Sequence, residues 1–170
     1  VAGESSVSFN VTLNATKIAN RKPSPRGSYT ADLNITTEQA GSVTGVVSAT
    51  VAEPSIEVSD VEAPTTKLGA NAETELQIDN VGNAPLNITD TNINGADAVA
   101  YAVDEDSLPE TIPAASSDTI TIEFDPLTAP NAVSRASSRT DPVGEIDDAT
   151  IAVSSDDPNQ ETLTASLNGT

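Results

Sequence analysis

Apolar residues in this chain recur at every second position in short runs, and that spacing restricts it to strands. Val7, Phe9, Val11 and Leu13 alternate with Ser8, Asn10 and Thr12. Successive strand side chains point to opposite faces, so this alternation describes a strand with one buried face. Tyr29, Ala31, Leu33 and Ile35 predict a second strand over 29–36. Val43, Val47, Ala49 and Val51 predict a third over 42–51, with Gly41 and Gly45 as weak points or bends. Val51-Ala-Glu-Pro54 reads as a junction. Seven further strands are expected at 55–60, 72–79, 85–93, 98–103, 117–124, 147–154 and 160–168. Their apolar sets include Ile120, Ile122 and Phe124; Ala149, Ile151 and Val153; and Leu163, Ala165 and Leu167. Asn80-Val-Gly-Asn83 and Ser155-Asp-Asp-Pro158 read as turns. Residues 126–146, with Pro126, Pro130 and Pro142, read as a long polar loop, a length usually functional or mobile. No helix is expected. The predicted fold is all-β: an Ig-like antiparallel β-sandwich over 53–170, preceded by a three-stranded segment over 1–52. Three strands bury too little area to stand alone. Residues 1–52 are therefore expected to pair with the sandwich, form a second sheet with an insertion, or pair with another subunit.

Composition narrows the chemistry. The chain holds no Cys and no His, which removes disulfides, thiolate metal sites and the commonest general base. No Gly-x-Ser-x-Gly, phosphate loop or dinucleotide fingerprint is present. Carboxylates are so abundant that a chance pair carries no catalytic signal, and the chain is read as not an enzyme. No stretch approaches the roughly 18 apolar residues of a membrane span, so no membrane insertion is expected.

Charge sets the habitat. There are 26 acidic against 7 basic residues, a formal net of -19. Such a chain repels itself unless salt screens it. In this respect the composition resembles that of haloarchaeal proteins, which speaks to environment and not activity. The basic residues are uneven: Lys17, Arg21, Lys22 and Arg26 lie in one ten-residue loop with no acid, stiffened by Pro23 and Pro25. That loop reads either as a solvated hairpin connection or as a contact for an acidic surface. Nucleic acid is excluded as a partner, because the acidic remainder opposes it.

Glu75-Leu-Gln-Ile-Asp-Asn-Val-Gly-Asn-Ala-Pro-Leu-Asn-Ile88 resembles the repeat of the choice-of-anchor D and ASPM/SPD-2/Hydin group of Ig-like domains. So do Ile120-Thr-Ile-Glu-Phe-Asp-Pro126 and the closing hairpin from Thr150 to Thr170, and the three motifs follow the family's order over about 53–170. The insert at 127–146 departs from the family's short connection. The resemblance implies an extracellular or scaffold β-sandwich with no catalytic residues.

Candidate modification and ligand positions follow. Asn10, Asn14, Asn34, Asn87 and Asn168 are Asn-x-Ser/Thr acceptors, with chance occurrence the alternative. Asp104, Asp106, Asp147, Asp148, Asp156 and Asp157 stand in acidic clusters that could serve calcium, with a solvated acidic turn as the alternative. The chain begins at Val1, which predicts a removed leader or an excised fragment. The functional expectation is a structural subunit of an extracellular haloarchaeal surface filament. It would assemble with itself head to tail by addition of the strand Val7, Phe9, Val11 and Leu13 to the next copy. Two alternatives stay open: a virion protein of a haloarchaeal virus (a capsid decoration or tail component), or a module of a larger adhesion or S-layer-type protein.

Overall fold

The computed structural model describes residues 8, 10–12, 26–38, 41–67, 70–126 and 146–169. The chain divides into two units, Val1–Ala52 and Glu53–Thr170.

In the first unit, β1 (Gly27–Thr37) and β2 (Gly41–Val51) form an antiparallel hairpin, paired from Gly27↔Val51 to Thr37↔Gly41. Gly41 has φ +78°, a left-handed conformation that a residue without Cβ adopts at no steric cost, and it closes the turn. The expected first strand, 7–13, is not seen. Val7, Phe9 and Leu13 lie outside the described residues, and Ser8 and Asn10–Thr12 carry no strand pairing. A strand exists by its ladder, and no described residue supplies one there.

The second unit is a two-sheet sandwich. Its strands are β3 (Ile56–Val58), β4 (Val61–Glu62), β5 (Ala72–Asn80), β6 (Leu86–Asn94), β7 (Tyr101–Val103), β8 (Thr111–Ile112), β9 (Ser116–Phe124), β10 (Ile146–Ser155) and β11 (Thr162–Gly169). One sheet has the order β4-β11-β10-β6-β8 and the other β3-β5-β9-β7. The alternating residues meet between them. Ile56, Leu76, Ile78, Ile120, Ile122 and Phe124 come from one sheet, and Leu86, Ile112, Ile151, Val153 and Leu167 from the other, all 0% exposed. Each such side chain contributes roughly 1.5–3 kcal/mol of burial. Tyr101 stacks on Phe124 with ring centroids 5.0 Å apart, helping to supply core volume in a chain without Trp. A Cβ at Gly169 would lie 2.5 Å from the Phe124 ring, so glycine is the residue that admits the aromatic pair.

Three expectations are corrected. Residues 98–103 do not form one strand: Ala98–Ala100 make a 3-10 turn and only Tyr101–Val103 are extended. The Asp97 amide donates to Asp148 O (3.0 Å) and the Ala100 amide to Asp97 O (2.9 Å), which fold the chain tightly before β7. The sandwich is not wholly antiparallel. β4 runs parallel to β11, pairing Leu167↔Val61 and Asn168↔Glu62, as strands far apart in sequence can. β4 and β8 were not anticipated, since two residues carry no period. The long loop at 126–146 falls outside the described residues from 127 to 145.

Candidate assembly surface

Directly opposed residues of a hairpin share a face, so register assigns its two surfaces. Tyr29 opposes Ala49, Ala31 opposes Val47, Leu33 opposes Gly45 and Ile35 opposes Val43. One face is thus apolar along its length. The other carries short polar side chains except at Val46, which stands opposite Asp32 and is 69% exposed. Ser28 and Thr50 hydroxyls meet at 3.4 Å, Thr36 and Ser42 at 3.0 Å, and Thr44 Oγ1 donates to Asn34 Oδ1 at 2.7 Å. Side-chain ladders of this kind tie the two strands together from the solvent side.

The apolar face is only partly covered. Val11 and Thr12 join Tyr29, Leu33, Val47 and Ala49 around a groove of about 340 Å³. Beyond that cover Ile35 is 42% exposed and Val43 65%. No described strand pairs with the outer edge of β1 or of β2. An apolar ribbon face exposed at Ile35 and Val43 is a template for association.

The two units differ in charge. Residues 1–52 carry four basic and three acidic side chains, a net of +1, whereas residues 53–170 carry 23 acidic and three basic, a net of -20. Within Gly27–Val51 the only charged residues are Asp32 and Glu38. Of the basic loop, Lys17, Arg21 and Lys22 lie outside the described residues, and Arg26 is exposed at the start of β1.

The calcium candidates are occupied differently. Asp157 is 1% exposed; its Oδ2 accepts from the Ile56 amide (3.0 Å) and its Oδ1 from the amides of Asn159 (2.8 Å) and Gln160 (3.3 Å). Asp156 accepts from the amide and the side-chain nitrogen of Asn87, at 2.9 and 2.6 Å. Asp104 Oδ1 accepts from the Asp106 amide (3.1 Å) and caps a short 3-10 turn at Glu105–Ser107. Asp148 is exposed, and the Asp147 side chain is outside what is described. Among the described residues no group of three or more carboxylates gathers as a metal would need.

The acceptor asparagines also separate. Asn10 and Asn34 are exposed. Asn87 spends its side-chain nitrogen on Asp156 and accepts from Thr111 Oγ1 at 2.7 Å. Asn168 donates to Glu62 Oε1 at 2.9 Å. Asn14 lies outside the described residues.

The sequence reading missed Asn80, which is 1% exposed. Its Oδ1 accepts from the amides of Gly82 (3.0 Å) and Ser55 (3.3 Å). Its Nδ2 donates to the carbonyls of Ala84 (2.8 Å), Ile112 (3.0 Å) and Pro113 (3.1 Å). A Cβ at Gly82 would fall 2.5 Å from Glu53 O, so the turn closes against the lead-in to β3. Asn and Gly in this turn were visible signals; the carbonyls they serve were not.

No protein-family model matches the chain, and no curated protein sequence does. Solved structures do. A crystal structure of a protein of unknown function from Porphyromonas gingivalis W83 is similar at 18% identity and TM-score 0.50, covering 87% of this chain and 67% of that one. The ASH/PapD-like domain of human CEP192 (PapD-like domain 7) matches at 16% identity and TM-score 0.41, covering 69% and 84%. The YadV chaperone matches at 18% and 0.40, covering 67% and 50%. At 18% identity the first of these likenesses concerns fold alone, and the two packed sheets themselves make the chain an all-β protein with an Ig-like β-sandwich. No described helix is long and apolar enough to cross a membrane.

Proposed function

We propose that this chain is a non-catalytic structural subunit of an extracellular filament, in which residues 1–52 of one copy supply strands to the next. The observation that carries this reading is the hairpin face of Tyr29, Leu33, Ile35, Val43 and Val47, apolar along its length and open at Ile35 and Val43. A two-stranded ribbon is at best marginally stable in water by itself, and covering its apolar face stabilises it. Residues 1–52, at net +1, meeting a body of net -20 also relieve the repulsion between copies. A head-to-tail contact of this kind does not close on itself and gives a fibre. The acidic composition, net -19, supports a multimolar-salt, haloarchaeal setting for that fibre.

The same reading assigns the sandwich to the ASPM/SPD-2/Hydin-like group. What supports this is the placement of the motif residues. Asn80 and Gly82 hold the β5–β6 corner, and Phe124-Asp-Pro126 ends β9 with Phe124 and Pro126 buried.

The test is the mass and shape of the full chain in multimolar salt, by light scattering and electron microscopy. Regular fibres are expected, and Val43→Asp is expected to shorten or abolish them while the sandwich unfolds as in the parent. Particles that stay monomeric at every salt concentration would overturn the reading.

A further inference from the structure

The two outer faces of the sandwich differ in chemistry, and register assigns each. On the five-stranded sheet Thr150 stands opposite Ser166, Ala152 opposite Thr164 and Ser154 opposite Thr162, so these outward rows of β10 and β11 carry no charge. The four-stranded sheet turns carboxylates outward instead. Along β5, Glu73, Glu75 and Asp79 lie in the opposite phase to the inward Leu76 and Ile78. On the neighbouring strands Glu123 stands opposite Glu73, and Glu57 opposite Asp79. Five acids thus share one face, and none of the three basic residues of 53–170 lies in a strand of that sheet.

Two of these pairs set like charges directly opposite each other. Opposed side chains of an antiparallel pair have Cβ atoms about 5 Å apart, and like charges so placed destabilise the sheet. Gln77 Nε2 offsets one of the five acids by donating to Asp79 Oδ1 (2.8 Å). Glu73 and Glu123 flank a groove of about 240 Å³ together with Asn71 and Ala72. A cation seated there meets two carboxylates at once, an arrangement that a guanidinium or ammonium group neutralises.

The chain gathers its own cations in one segment. Residues 17–25 hold Lys17, Arg21 and Lys22 and no acid, a net of +3. Nine positions can extend over about 30 Å. The carboxylate row from Asp79 to Glu73 runs about 20 Å along β5. Charge and reach therefore both match, whereas the outward rows of β10 and β11 offer the segment no charge to pair with.

We propose that the outer face of the β3-β5-β9-β7 sheet, centred on Glu73 and Glu123, receives the basic segment 17–25 of a second copy of this chain. This rests on the self-association reading above and assigns the surface that takes up the neighbour's charge. Charges in partly buried contact are screened much less than exposed, separated ones, so the pairing persists in salt that removes the general repulsion.

Unlabelled and heavy-nitrogen-labelled full chains are mixed at low salt, brought to multimolar salt and treated with a carbodiimide, which joins a lysine amine to a carboxylate in contact with it. Peptide mass spectrometry reads which copy supplied each half. Links from Lys17 or Lys22 to Glu73, Glu75 or Glu123 are expected, with pairs of mixed label among them. Glu73→Lys/Glu123→Lys reverses the face, and Arg21→Glu/Lys22→Glu reverses the segment. Each double variant is expected to lose about tenfold in polymer mass with the unfolding transition of the sandwich retained. The chain carrying all four substitutions is expected to recover most of that mass, because its reversed charges again oppose. Links confined to a single label would seat the segment on its own copy and overturn the proposal. Polymer that persists in both double variants, without such links, would overturn it and leave self-association standing on another surface. Loss in both double variants with no recovery in the combined chain would overturn the pairing. Parent chain that never assembles would overturn both readings.

Discussion

The carboxylate of Asp157 accepts a hydrogen bond from the backbone amide of Ile56 at 3.0 Å, across 101 positions of sequence. The turn between the last two strands thus holds the first strand of the sandwich. The same carboxylate takes the amides of Asn159 and Gln160, so its charge is met by three N–H groups inside the protein. Asp157→Ala would leave the buried Ile56 amide unpaired, which is the costly way to lose a hydrogen bond. A loss of about 2–4 kcal/mol is expected in urea unfolding of the full chain, and Asp157→Asn, which keeps one oxygen, should lose less. Equal stability of Asp157→Ala and the parent would show that the clamp contributes nothing.

Asn80 tests polarity with direction. It accepts from two amides and donates to three carbonyls, which asks for an amide side chain and nothing else. Asp of the same shape satisfies the two amides and turns an oxygen toward three carbonyls. Asn80→Asp is therefore expected to destabilise at least as much as Asn80→Ala, by about 2–4 kcal/mol. Gly82→Ala adds a methyl 2.5 Å from Glu53 O and 2.6 Å from Ser55 N, and is expected to open the same corner. Thermal scans of the three variants decide it. A milder effect of Asp than of Ala would mean that the donor bonds matter little.

The strands were legible because alternation reports directly which face is buried. Tyr29, Ala31, Leu33 and Ile35 were read as one face, and the pairing with Ala49, Val47, Gly45 and Val43 places them there. Ile120, Ile122 and Phe124 were read as an inward set and are 0% exposed. Acid function was not legible in the same way. Asp156 and Asp157 are adjacent and identical in type, yet one is exposed and the other 1% exposed. What separates them is which amides reach them from Ile56 and Asn87, distant partners that no local pattern records. In a chain of net -19, every such acid looks solvated. β8 and the 3-10 turn at 98–100 escaped for a related reason: their geometry is set by contacts with β6 and Asp148 rather than by their own residues.

Asp97 is a place where the fold gives up stability. It is 1% exposed, and neither carboxylate oxygen has a hydrogen-bond partner among the described residues. A buried carboxylate without partners costs more than a neutral amide of the same shape. Asp97→Asn is expected to stabilise the chain by about 1–3 kcal/mol in urea. A destabilised Asp97→Asn would show that the carboxylate has a partner that the protein supplies in solution.

The acceptor asparagines predict a site-resolved pattern of glycosylation in native material. A glycan takes one hydrogen from the side-chain nitrogen and needs space beside it. At Asn87 that nitrogen sits 2.6 Å from Asp156 and at Asn168 it sits 2.9 Å from Glu62. Asn34 stands on the exposed polar ladder and uses its oxygen, not its nitrogen, toward Thr44. Mass spectrometry of glycopeptides is expected to find higher occupancy at Asn10 and Asn34 than at Asn87 and Asn168. Full occupancy at Asn87 would mean that modification precedes formation of the Asp156 contact.

Salt is expected to act on the two units unequally. The sandwich unit carries -20 and the hairpin unit +1, so screening chiefly relieves the sandwich. At 1 M salt the Debye length is about 3 Å, and repulsion among surface carboxylates is largely removed. Raising salt from 0.1 to 3 M should therefore raise the urea midpoint of the sandwich and increase polymer mass together. Ile35→Ser/Val43→Ser should separate the two effects. Both residues are exposed on the apolar hairpin face, at 42% and 65%, and neither belongs to the sandwich core. The double variant is expected to keep the salt-dependent midpoint and lose most of the salt-dependent mass, because lost apolar contact costs about 25 cal/mol per Å² at each junction. If midpoint and mass fall together in that variant, hairpin and sandwich are energetically one body. If neither falls, association runs through another surface.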